Sequence, residues 1–167
     1  MPGFPSIKPA FTVQVGLPTH ISAGSASRTA NLMVVPMLGN ILKSDPAFEP
    51  TIDAEFVGVG NDYIHADPDG QHLRLNAHGV LKATSQLLYI NYTDVVAMGP
   101  AEQAVFGDTA SDGATLFGNS FTHFTFETDN ARYKELENHV FVGQGWFRTE
   151  KGKPIVVEYK VGRVVSS

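Results

Sequence analysis

Phe121-Thr122-His123-Phe124-Thr125-Phe126-Glu127-Thr128 alternates in period two, and His139-Val140-Phe141-Val142-Gly143-Gln144-Gly145 follows shortly after it. Such alternation is extended chain with one face turned inward, and two runs this close in sequence pair as neighbouring strands. The chain is therefore read as a sheet protein. The intervening Asp129 to Asn138, with Thr128 or Asp129 placed to cap it, predicts a helix of about two turns at one end of the strand pair.

The same reading extends in both directions. Phe11 to Val15 alternates as Phe-Thr-Val-Gln-Val and predicts the first strand, with Pro2, Pro5 and Pro9 keeping the preceding arm, about residues 1–9, extended and unpaired. A small-residue loop from Leu17 to Arg28 leads to one or two strands over Leu32 to Leu42, broken near Pro36 and Gly39. Thr51 to Ala66 reads as a strand with a bulge at Gly58 and Gly60. Asp67-Pro68-Asp69-Gly70 then turns the chain, because proline fixes one dihedral and glycine accepts a left-handed one. The return strand runs from Gln71 to Ala77 and past Gly79 to Ala83, and Ser85 to Thr93 follows with Leu88, Ile90 and Tyr92 on one face and Leu87, Tyr89 and Asn91 on the other. Met98 to Gly118 holds four glycines and loses the alternation, which predicts a long loop with one helical turn at Ala101 to Val105. Lys151 to Pro154 is a turn, and Ile155 to Val161 closes the sheet. The sum is one all-β domain over residues 1–167, a closed antiparallel barrel of roughly eight to ten strands with a short helix and an interior cavity.

Composition narrows the function. A net charge of -5 with 12 Lys plus Arg argues against a nucleic-acid partner, which needs a clustered basic surface. No apolar run approaches the ~18 residues of a membrane span, and the opening residues carry no export pattern. The absence of cysteine removes disulfides, thiolate metal ligands and a cysteine nucleophile, and points to a reducing, cytoplasmic setting. His20, His65, His72, His78 and His139 show no ligand spacing, and Asp67-Pro68-Asp69-Gly70 lacks the later carboxylate of a calcium loop, so no metal is expected. No nucleophile elbow, phosphate loop or dinucleotide fingerprint occurs, and no cofactor is expected.

A resemblance spans nearly the whole chain. The Gly24 to Arg28 loop followed by Val35-Pro36-Met37-Leu38-Gly39, then Gly60-Asn61-Asp62-Tyr63 with Asp69-Gly70, then Phe126-Glu127-Thr128 with Arg132-Tyr133 and Val140-Phe141-Val142-Gly143, resemble domain-of-unknown-function family 3237, also called uncharacterised protein family 0311. The resemblance implies a closed antiparallel barrel with an interior cavity. Relatives from natural-product pathways imply cofactor-free cyclisation or isomerisation. Two positions depart from the family pattern: Tyr133-Lys134-Glu135-Leu136-Glu137 stands where the family has Tyr-x-Trp-Leu-Asn, and Phe121 stands where it commonly has Arg.

Four residues are candidates for catalysis. Asp62 follows the predicted bulge, and inside an apolar barrel its carboxyl would have a raised pKa and could move a proton, with Tyr63 donating to a developing enolate. His123 and Glu127 share one strand face at a separation of ~13 Å, so their roles would be separate. Each has a plainer reading: an outward strand face for His123 and Glu127, and a backbone partner at the bulge for Asp62. Arg28 could clamp an anionic oxygen, and Tyr89, Asn91, Phe121, Phe124 and Trp146 are the expected substrate-binding residues. The expected function is a cofactor-independent cyclase or isomerase for a hydrophobic oxygenated small molecule, such as a polyketide or terpenoid intermediate. A lipocalin-like carrier is the alternative, and a structural homodimer module is the third reading.

Overall fold

The computed structural model describes residues 3–28 and 31–167. Its strands are β1 (Ser6–Leu17), β2 (Ile21–Ser22), β3 (Asn31–Pro36), β4 (Leu38–Ser44), β5 (Asp53–Ala66), β6 (His72–Ala83), β7 (Gln86–Ala97), β8 (Gly113–Ala114), β9 (Ser120–Glu127), β10 (Phe141–Thr149) and β11 (Ile155–Val165), with one helix, α1 (Pro100–Phe106). Every pairing is antiparallel. The ring runs β5, β4, β1, β11, β10, β9, β7, β6 and back to β5, so eight strands close an all-β barrel and β2, β3 and β8 lie off it. Closure leaves the ring without a free edge.

The alternation that decided the fold holds strictly. Along β9, Ser120, Thr122, Phe124 and Phe126 are buried while Phe121, His123, Thr125 and Glu127 are exposed. Phe11, Phe124, Phe126 and Phe141 meet inside, with the Phe11 ring centroid 5.2–6.0 Å from those of the other three, and Tyr92 packs on Phe124 at 4.9 Å. Edge and tilted contacts of this kind add to the burial of large aromatic surface. Side chains thus occupy the bore at the level of these rings, where an interior cavity is expected of the barrel, and the depressions described among these residues involve the outer wall or the rims.

Two local expectations are corrected, and the helical turn expected at Ala101 to Val105 is present as α1. The arm is not unpaired up to Pro9, since Ser6 to Pro9 lie opposite Val165 to Gly162 of β11; Met1 and Pro2 fall outside the described residues. The two-turn helix after β9 is instead a single 3₁₀ turn at Lys134–Leu136. Asn130 Oδ1 accepts from the Arg132 amide at 2.8 Å, Thr128 Oγ1 from the Asn130 amide at 3.2 Å, and Glu137 Oε1 from the Thr128 amide at 2.8 Å. Side chains that capture nearby amides compete with a regular helix. The regular helix lies in the expected loop, where Pro100 at its start leaves no amide unsatisfied.

Candidate functional site

The functional candidate inside the barrel begins at the irregularity in β5. Phe56 lies opposite Leu81 and Gly60 opposite Gly79, so β5 spends three residues, Val57, Gly58 and Val59, where β6 spends only Val80. Gly58 has φ +83°, a left-handed conformation that favours glycine. The insertion is of two residues, an even number, so the inward parity of Ala54 is kept through Asp62 and Ile64. Gly79 has a separate purpose, because a Cβ there would stand 2.8 Å from the Phe56 ring.

Asp62 is completely buried. Opposite it on β6 is Ala77, and opposite Ala77 on β7 is Tyr92, so a methyl group is all that β6 places between carboxylate and phenol. Asp94 is the next inward residue of β7 after Tyr92. From β9, Ser120 Oγ donates to Asp94 Oδ2 at 2.7 Å, and from β11 the Tyr159 hydroxyl donates to the same oxygen at 2.9 Å. Gly145 of β10 permits this, since a Cβ at that position would lie 2.7 Å from both Ser120 Oγ and the Tyr159 ring.

The two carboxylates are unequal. Both oxygens of Asp62, Asp94 Oδ1 and the Tyr92 hydroxyl lack a hydrogen-bond partner, and such groups are costly in an interior. Burial first, and then the neighbouring Asp94 charge, push Asp62 up to about 7, opposed by the dipole of the nearby Asn76 backbone amide, which stands short of an ordinary hydrogen bond. Burial pushes Asp94 up to about 6, opposed by the Ser120 and Tyr159 hydroxyls. Burial also holds both phenols well above the ordinary tyrosine range, with the two carboxylates adding to it, so Tyr92 and Tyr159 are protonated donors. The cluster therefore offers a carboxyl that is partly protonated near neutrality, a second carboxylate anchored by hydroxyls, and a protonated phenol beside them.

The other sequence candidates are not assembled around Asp62. Tyr63 faces outward with its ring 6.2 Å from that of His78, and His78 Nδ1 is hydrogen-bonded to the Tyr89 hydroxyl. Asn91 donates to Asn76 Oδ1 at 2.9 Å and to the Ala77 carbonyl at 2.8 Å, which places Tyr63, Tyr89 and Asn91 together in an outer-wall patch. His123, Phe121 and Glu127 are on the exposed face of β9, and Trp146 is outside, stacked on Phe117 at 5.2 Å. Arg28 is exposed in its loop, with its amide donating to Ser25 Oγ at 3.1 Å. Phe124 is inside and forms one wall of the Tyr92 packing. Asp94, Ser120 and Tyr159 escaped the sequence reading. Carrying the alternation of Leu88, Ile90 and Tyr92 one step further would have put Asp94 on the inner face.

A further buried carboxyl is at the rim that carries α1. Glu102 is buried, and its Oε2 accepts from Asn119 Nδ2 at 3.0 Å, while the Asn119 carbonyl accepts from the Ala97 amide at 2.7 Å. No group of three or more metal-ligating side chains occurs among the described residues.

Comparison with known proteins agrees with this architecture. A family model described as a protein of unknown function, DUF3237, matches residues 5–164, and the chain belongs to that family. A conserved protein of unknown function from Rhodopseudomonas palustris has a similar structure, with a TM-score of 0.77 at 19% identity over 97% of this chain and 99% of that one. A beta-barrel like protein from Acinetobacter baumannii gives 0.73 at 17% identity over 99% of each chain. An enzyme from Penicillium herquei gives 0.56 at 15% identity over 96% of this chain and 97% of its own. No curated protein matches the chain. At such identities the likenesses concern the fold.

Proposed function

We propose that this member of the DUF3237 family is a cofactor-independent acid–base catalyst, a cyclase or isomerase for a hydrophobic, oxygenated small molecule. The observation that carries the reading is Asp62: a fully buried carboxyl, unpaired on both oxygens, with a pKa raised to about 7. A group so tuned donates and accepts protons with nearly equal ease at neutral pH. That suits a reaction with no net proton change. In a cyclisation, protonated Asp62 gives its proton to an alkene or carbonyl, a substrate hydroxyl adds to the activated carbon, and the hydroxyl proton returns to the carboxylate. In an isomerisation, ionised Asp62 removes a proton beside a carbonyl and delivers it elsewhere on the same framework, with Tyr92 donating to the oxygen on which charge develops. Asp94, held by Ser120 and Tyr159, orients the cluster and keeps Asp62 high by its charge.

The acid pair lies toward the rim formed by the end of β7 and the start of β9, where Met33, Met98 and Phe106 are only partly buried against the core. We assign substrate entry to this rim, where flexible thioethers can give way to an apolar guest. The enzyme from Penicillium herquei shows that a protein of similar fold is an enzyme, which is compatible with this reading. The cysteine-free composition supports a cytoplasmic site of action, and no helix among the described residues is long and apolar enough to cross a membrane.

The test pairs titration with turnover. Carbon-13 labelling of aspartate side chains should show one carboxyl titrating near pH ~7 that disappears in Asp62→Asn. Incubation with prenylated phenols and polyketide enols, followed by mass spectrometry and chiral chromatography, should show isomeric product that Asp62→Asn reduces by ~10²-fold or more. Tight reversible binding with the ligand unchanged would instead identify a carrier.

A further inference from the structure

The outer wall carries a second site, independent of the interior carboxylates. Two rows of outward residues run side by side across β7, β9, β10, β11 and β1. The pairing registers fix one as Thr93, His123, Val142, Gly162 and Pro9, and the other as Val95, Phe121, Gln144, Lys160 and Thr12. The outside of a barrel is normally convex, but here Gly162 contributes no side chain to the first row. Ile7 folds over it so closely that a Cβ on Gly162 would meet Ile7 Cγ2 at 2.2 Å. The outcome is a groove of about 610 Å³ with Phe121 and His123 on one side and Ile7 and Lys160 on the other, a volume within the range of small-molecule sites.

Its chemistry is one-sided. Phe121 and Ile7 are 58% and 62% exposed, a large apolar investment on a surface with no net need for it. The outward groups that can meet a ligand's polar end are His123, Gln144, Thr93 and Lys160, and among the described lining residues the carboxylate residue, Asp94, turns its side chain into the barrel. Lys160 Nζ donates to Thr12 Oγ1 at 3.0 Å and lies 3.2 Å from Glu158 Oε1, which fixes it at the groove edge with one N–H still to give. Glu158 also accepts from Gln14, whose Nε2 donates to its other oxygen at 2.6 Å, so its charge is shared between two donors. In a protein of net charge -5, an apolar groove ending in a tethered cation selects for ligand charge of the opposite sign.

We propose that this groove is a binding site for a flat, apolar small molecule bearing one anionic oxygen group, with Phe121 against its ring face and Lys160 and His123 at its charged end. The test uses 8-anilinonaphthalene-1-sulfonate as the probe and neutral N-phenyl-1-naphthylamine as its control. The sulfonate should bind at one site per chain and perturb amide signals of β9 and β10 around Phe121 and Val142. Phe121→Ala should weaken it by ~10-fold or more. Lys160→Gln should weaken the sulfonate by roughly three- to tenfold while leaving the neutral control unchanged. Both residues are exposed, so neither change threatens folding, and the circular dichroism spectrum verifies this. Equal binding by wild type and both variants, or perturbations confined to the rim that carries α1, would overturn the proposal. So would a concentration-dependent dimer, seen by sedimentation, that Phe121→Ala dissolves, because the groove would then belong to a second copy of the chain.

Discussion

The Tyr159 hydroxyl reaches across the barrel from β11 to donate to Oδ2 of Asp94 on β7, at 2.9 Å. Three steps around the sheet separate the two strands, and the contact passes over Gly145, where a Cβ would lie 2.7 Å from the Tyr159 ring. It also makes the interior pair asymmetric. Asp94 receives two hydroxyl donors and Asp62 receives none, so the more perturbed carboxyl is the one that no hydroxyl stabilises in its charged form.

Stability should fall as pH rises through neutrality. Folded Asp62 and Asp94 titrate at about 7 and about 6, above the ordinary carboxylate value. Between that ordinary value and about pH 7 the folded protein therefore holds protons that the unfolded chain has released. Stability from these groups is fully present below the ordinary value and is lost through this window, on the order of a few kcal/mol for the pair. Urea unfolding at pH 5 and pH 8 measures it, with a lower midpoint expected at pH 8.

Asp62→Asn should remove most of that slope and raise stability at pH 8, while abolishing acid–base turnover. Deleting a buried, unpaired charge relieves desolvation even though the amide also lacks partners. A gain in stability joined to a loss of function is the signature of a group retained for chemistry. A variant that is both less stable and fully active would identify Asp62 as structural.

Tyr159→Phe withdraws one of the two hydroxyl donors that, with the Val95 and Phe121 amides, lower Asp94. Its carboxyl should titrate higher still, and the stability loss should move to a higher pH by a fraction of a unit or more. Carboxyl carbon-13 titration of the variant checks the direction. Ring volume is kept, so packing against Tyr92 and Phe124 should survive.

Much of the fold was legible because alternation is a strong signal. The β9 run, the Asp67–Gly70 turn and the continuation of β6 past Gly79 all stand as read, and the turn closes with the Gly70 amide donating to the Asp67 carbonyl at 2.9 Å. Which face of a strand points inward was less legible. β9 carries phenylalanine on both faces, Phe124 and Phe126 inside and Phe121 outside, so polarity could not choose between them, and the pairing register does. The helix after β9 was misread because propensity ignores the Asn130 and Thr128 side chains that capture its first amides. Asp94 was overlooked for a physical reason too, since a charged residue near a strand end normally marks solvent.

The rim that carries α1 should loosen when Asn119 is cut back. Asn119 holds Glu102 through its side chain and Ala97 through its carbonyl, so one residue fastens both the helix and the end of β7 to the start of β9. Asn119→Ala keeps the backbone bond but leaves a buried carboxylate without its donor, at a cost of roughly 1–3 kcal/mol. The loss should be local: hydrogen exchange should quicken over residues 98–119 and stay unchanged at Phe124 and Phe141 in the aromatic core. If substrate enters at this rim, the same variant should also raise the rate of ligand uptake measured by stopped flow, because the segment that covers the acid pair opens more often. Faster exchange with unaltered uptake would mean that the route to Asp62 lies at the opposite end of the barrel.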